Sequence, residues 1–112
     1  MAIYSRHDVV RVPFPFTDGT AEKNPPALIL SDHAWFNAQA AHSVMAMITS
    51  AQHARWPLDV PISDLTAAGL PAASLVRFKL FTLDHRLIRG ALGHLSNQDA
   101  GRVTKSVRKL FI

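Results

Sequence analysis

The chain contains no cysteine, which excludes disulfides and thiolate metal sites. Charged residues make up only 18% of its 112 positions. No apolar run approaches the roughly 20 residues that a bilayer-spanning helix requires. The first eight residues hold Arg6 and His7 and then lead into a short apolar strand. They lack the long apolar core and small-residue cleavage site of a secretory signal. Internal repeats, low-complexity tracts and interdomain linkers are also missing. These absences argue against export, membrane insertion and a multidomain plan, so one cytoplasmic domain spanning residues 1–112 is expected.

Hydrophobic residues account for 48% of the chain, enough for an ordinary packed core and too many for a disordered tail. Twelve Lys+Arg face eight Asp+Glu, giving a net charge of +4 and a sequence pI near 10.1. A small basic domain attracts polyanions such as nucleic acid, or an acidic protein partner. Arg77, Lys79, Arg86 and Arg89 lie in one central stretch, and Arg102, Lys105, Arg108 and Lys109 near the C-terminus.

The pattern reads as strands first and one helix last. Residues 8–14 are rich in β-branched side chains and stop at a Pro-Phe-Pro punctuation, which favours a strand. Residues 16–26 hold turn formers and two prolines and read as a loop. Short strands are expected over 27–30, 43–49 and, at a proline-tolerant sheet edge, 59–62. Residues 33–41 are assigned to one or two helical turns or an irregular excursion. Residues 74–80 alternate apolar with polar or basic, as a half-buried strand should. Residues 87–95 continue the β pattern, with Gly90 and Gly93 permitting a bend. Ser96 followed by Asp99 is an N-cap signature. Behind it Ala100, Val103, Val107, Leu110 and Phe111 recur at helical spacing, which predicts an amphipathic C-terminal helix. Short strands with one covering helix suggest a small, strongly bent sheet or partly open barrel.

Particular strings carry more than periodicity. Residues 8–18 (DVVRVPFPFTD), 26–31 (PALILS), 48–50 (ITS), 68–70 (AGL), 76–84 (VRFKLFTLD) and 92–96 (LGHLS) resemble, in order, segments of the MazF/PemK toxins of type II toxin–antitoxin systems. The resemblance implies a mainly β, SH3-like barrel with a C-terminal helix, assembled as a homodimer. It further implies a cofactor-free, metal-independent endoribonuclease cutting single-stranded RNA. Attack by the ribose 2′-hydroxyl would leave a 2′,3′-cyclic phosphate. An acidic antitoxin protein would occupy the RNA groove.

Such cleavage needs a base for the 2′-OH, a donor for the leaving oxygen, and positive charge for the phosphorane. The resemblance assigns a catalytic role to Thr49, at the end of the third strand. An arginine is expected just before the second strand, but Pro25 stands there, without charge or donor. Lys23 is a candidate RNA contact from the preceding loop. Arg77 matches a fifth-strand arginine that some relatives pair with a nearby aspartate, though no acid stands between it and Asp84. Strand alternation puts Lys79 on the same face, where both reach RNA phosphates. His53 and Arg55, just beyond Thr49, offer a proton exchanger and a phosphate clamp that would replace missing machinery. The histidines show no metal-ligand spacing. Trp35, Phe36 and Trp56 are assigned to core or interface packing rather than base stacking. Two alternatives remain: a catalytically impaired member that binds RNA or antitoxin, and a CcdB-like gyrase-binding toxin. The latter type relies on a Trp-containing C-terminal end, whereas this chain finishes Lys109-Leu110-Phe111-Ile112.

Overall fold

A computed structural model describes residues 2–13 and 24–112; Lys23 lies outside them. Six antiparallel strands form one sheet: β1 (Asp8–Arg11), β2 (Pro26–Ile29), β3 (His42–Ser50), β4 (Val60–Pro61), β5 (Ser74–Asp84) and β6 (Gly90–His94). Their spatial order is β4-β5-β3-β2-β1-β6. β4 therefore sits at an edge, where Pro61 leaves no central ladder bond unmade. A π-helical turn (His33–Asn37) runs into α1 (Ala38–Ala40) between β2 and β3. The four-residue α2 (Leu65–Ala68) follows β4, and α3 (Asn97–Phe111) closes the chain.

Both faces of the central strands are covered. On one face Val9, Leu28, Ala46, Ile48 and Val76 pack with Val60, Ala68, Leu95 and Val103. On the other, Val10, Val12, Ala27, Ile29 and Met45 are buried beneath Tyr4, Phe81, Leu83 and Ile88. This alternation of neighbouring residues between two cores explains why β1 and β2 read as continuous apolar runs.

The sheet curls because its two edges meet through α2. A methyl added at Gly93 of β6 would lie 2.3 Å from the Ala67 carbonyl, and one at Gly69 would lie 2.1 Å from the Leu92 carbonyl. Gly69 also ends α2 at φ +72°, the left-handed cap glycine adopts without strain. The two glycines thus allow backbone to touch backbone where the half-barrel closes.

The third-to-fifth-strand pairing carries an irregularity with a consequence. Ala46 opposes Leu80 while its neighbour Met47 opposes Arg77, so Phe78 and Lys79 are inserted in β5. Two extra residues preserve the alternation of faces while adding bend. β5 also runs to Asp84, beyond the expected end at 80, and a 3-10 turn (His85–Leu87) replaces the start of the expected last strand.

The helix cap is as the sequence predicts: the Ser96 hydroxyl accepts the Asp99 N–H. Asp99 does more than sit in the first turn. Fully buried, its carboxylate accepts from the Ser63 N–H and hydroxyl, the Asp64 N–H and Arg102, tying α3 to the segment between β4 and α2. Ala100, Val103 and Val107 face the core, whereas Leu110 and Phe111 are exposed. The expected apolar stripe therefore leaves the core one turn before the helix ends.

Candidate active site

β3 delivers Thr49 to the end of the sheet, and the chain then turns back over residues 51–59. In that turn the Thr49 hydroxyl and His53 Nδ1 lie 2.6 Å apart. His53 and Arg55 are exposed and Thr49 half-buried. Two of the residues singled out for chemistry are thus hydrogen-bonded to each other. When Nδ1–H donates to the Thr49 oxygen, Nε2 presents its lone pair outward, the state a general base needs.

Pro25 occupies the position opposite this pair. Ala27 opposes Met47 in the β2–β3 ladder, and the same antiparallel register continued by two residues sets Pro25 across from Thr49. The Pro25 carbonyl accepts the Val12 N–H at 3.0 Å, so the residue stays in line with the sheet. It is buried. Pro26, on the opposite face, lines a shallow cleft of about 180 Å³ with Thr49, Ser50, Pro71 and Ser74.

Arg77 is placed differently from an open catalytic cation. Its Nη2 donates to Asp59 Oδ2 at 2.8 Å and to the Ala54 carbonyl, and its Nε to Asp59 Oδ1 at 3.3 Å. Only 8% of Arg77 is exposed, and the Asp59 side chain is buried. The pair is cross-strand: Val60 opposes Val76, and one step further Asp59 meets Arg77. The acid that the fifth strand lacks is therefore supplied from 18 residues earlier in the chain. Burial alone would raise the Asp59 carboxyl, but hydrogen bonds from Arg77 and the Trp56 N–H, with the charges of Arg77 and Arg55, hold it below the usual carboxylate range.

The same network shapes the loop. Asp59 N–H donates to the Trp56 carbonyl at 3.3 Å, and Trp56 N–H to Asp59 Oδ2 at 2.9 Å. Pro57 and Leu58 occupy the corners between them, with Leu58 at φ +68°, the left-handed third position of a type II turn. Arg77 and Lys79 each lie 5.2 Å from the Trp56 ring centroid, in cation–π range. Lys79 thus shares a side with Arg77, as alternation predicts. Trp56 is 43% exposed and Trp35 is 85% exposed, so neither packs in the core of this chain. From the sequence alone Trp56 is assigned to packing and Asp59 to the edge strand, so both fall outside the candidate site residues. The usable signal was a Trp-Pro-x-Asp turn placed just before an edge strand.

Among the described residues no three His, Asp or Glu side chains gather as a metal site, and no helix is long and apolar enough to cross a membrane.

Comparison with known proteins gives the class. The family described as PemK-like, MazF-like toxin of type II toxin–antitoxin system matches residues 5–111. The chain belongs to that family. Its fold is similar to a MazF structure from Deinococcus radiodurans, with TM-score 0.74 and 19% identity over 98% of this chain and 97% of that one. A MazE–MazF complex from the same organism gives 0.72 and 20%, covering 98% and 96%. An endoribonuclease from Mycobacterial species in complex with its cognate antitoxin gives 0.72 and 18%, covering 97% and 93%. No curated protein matches by sequence.

Proposed function

We propose that the protein is a toxin endoribonuclease that cuts single-stranded RNA without a metal ion. The observation that carries the reading is the Thr49–His53 hydrogen bond, with Arg55 two residues further along the same turn and Lys79 against the Trp56 ring of that turn. His53 takes the proton from the ribose 2′-OH, and Thr49 fixes the imidazole orientation. A bond forms from the 2′-oxygen to phosphorus, and the bond from phosphorus to the 5′-oxygen breaks. The products are a 2′,3′-cyclic phosphate and a 5′-hydroxyl, the latter protonated by solvent or by the imidazolium. Arg55 binds the phosphate and Lys79 the adjoining backbone. Arg77 is committed to Asp59, and we assign it the positioning of the loop that carries His53 and Arg55. Incubating the purified protein with long single-stranded RNA in chelator, then mapping the ends, tests this. Cyclic-phosphate ends are expected; 3′-hydroxyl ends, or cutting restored only by added metal, contradict it.

The protein acts as a homodimer, and an acidic antitoxin competes with RNA for the basic surface. The solved complexes of similar fold with an antitoxin and the charge of +4 support that pairing. Both contacts should weaken with salt. A second reading, an RNA or antitoxin binder that no longer cuts, is favoured by one observation: Pro25 puts no cation opposite Thr49. RNA binding without cleavage, by wild type and by Pro25→Arg alike, would establish it. The gyrase-binding alternative has no support in the family match.

A further inference from the structure

Trp56 lies in the same turn as His53, against Arg77 and Lys79 of β5, and its setting is unusual for packing. The ring is 43% exposed, yet it is held from several directions. Its backbone N–H and carbonyl are both bonded to Asp59, Asp59 is locked by Arg77, and the cations of Arg77 and Lys79 approach the ring itself. An exposed indole normally samples several rotamers; this one sits on a turn whose Leu58 adopts a left-handed conformation that non-glycine residues avoid. A strained turn, a buried ion pair and two cations together hold an apolar surface in one place, three residues after His53.

We propose that Trp56 is a stacking platform for an unpaired nucleobase next to the phosphate that is cut, and that Arg77 and Asp59 are positioning residues for it. The inference rests on the ribonuclease reading and names its substrate subsite. Every base has a π-face, so stacking tolerates sequence while requiring that the base be free of a duplex. Lys79, the cation beside the ring that Asp59 does not hold, draws a flanking phosphate, which sets the strand's path. The platform therefore selects single-stranded over paired RNA, and purines, with their larger rings, over pyrimidines.

The test uses Trp35→Phe protein, in which Trp56 is the sole tryptophan, and reads its emission. The probes are 2′-O-methyl oligoadenylate, which cannot be cut, the same oligomer in a duplex, and an abasic oligomer of equal charge. Saturable quenching by the single strand, with neither the duplex nor the abasic strand quenching, is expected. Trp56→Leu should weaken binding of the single strand about tenfold or more and leave abasic-strand affinity unchanged, while Trp56→Phe should restore most of the loss. Asp59→Asn should broaden or shift the emission before any RNA is added and then reduce quenching. Equal quenching by the abasic strand, or equal affinity of Trp56→Leu for all probes, would overturn the platform. Cleavage of long RNA by the same proteins separates the two readings. Cutting that survives Trp56→Leu with unchanged rate and site choice removes the platform and spares the ribonuclease. Quenching without cutting by any form retains the platform and removes the ribonuclease.

Discussion

At the scale of single residues, the site is a set of small commitments that adjacency in sequence does not reveal. Thr49 is legible as a candidate only through the family resemblance, since a strand-end threonine is ordinarily a β-former, and His53 is legible as a proton exchanger on the loop just beyond it. Their hydrogen bond is not, since it depends on how residues 51–59 turn back. Arg77 was legible as a cation, but its partner was invisible because Asp59 meets it only through the β4–β5 register. Asp59→Asn should lower kcat more than it raises KM, and Asp59→Glu should recover part of the loss; equal losses in stability and rate would mark a purely structural pair. Another residue-scale expectation concerns acid. Burial, together with the charges of Arg6 and His94 and offset in part by Asp8, lowers His7 to about 4. The unfolded chain takes up that proton near 6.5, so the folded state loses stability as pH falls from about 6.5 to about 4. The loss is about 2 kcal/mol after allowance for partial exposure. His7 adopts φ +73°, which asparagine tolerates. His7→Asn should therefore fold and flatten the denaturant midpoint across that window, while an unchanged slope would show that other groups, His85 among them, carry the acid response.

At the scale of elements, the periodic signals were the reliable ones. β1, β2, β3, the edge strand and α3 each follow from alternation, β-branching or a cap, and each lies where those signals put it. What the sequence did not disclose were features decided by distant contacts: the two-residue insertion at Phe78 and Lys79, the 3-10 turn after β5, and the short α2. The Ala67 and Ala68 carbonyls of α2 meet Gly93, a contact no local pattern encodes. Gly93→Ala should force the half-barrel open at that point and lower the thermal midpoint by several degrees, whereas Gly101→Ala, with open space around it, should be neutral or stabilising in its helix. Asp99 makes the matching point for α3. Replacing it by Ala leaves the Ser63 and Asp64 N–H groups without their acceptor and should cost about 2–3 kcal/mol in chemical denaturation; a loss below about 1 kcal/mol would show that water replaces it.

At the scale of the whole molecule, the net charge of +4, the exposed aromatics and membership of the toxin family lead to the expectation of a basic dimer that engages one polyanionic partner at a time. Light scattering at micromolar concentration should give twice the monomer mass, and a monomer would count against a groove shared between copies. On the function proposed above, His53 held by Thr49 performs the chemistry, and Pro25 limits it. The direct measurement is the cleavage rate of one long single-stranded RNA, in chelator, by wild type, Pro25→Arg, and Pro25→Arg combined with Thr49→Ala or His53→Ala. A donor aimed at developing charge is worth about 10²–10³ in rate, so the arginine should raise a slow native rate by a factor of that order. Either second substitution should then abolish the gain without unfolding the protein. Full activity of the His53→Ala and Thr49→Ala combinations, with the same cut ends, would contradict the claim.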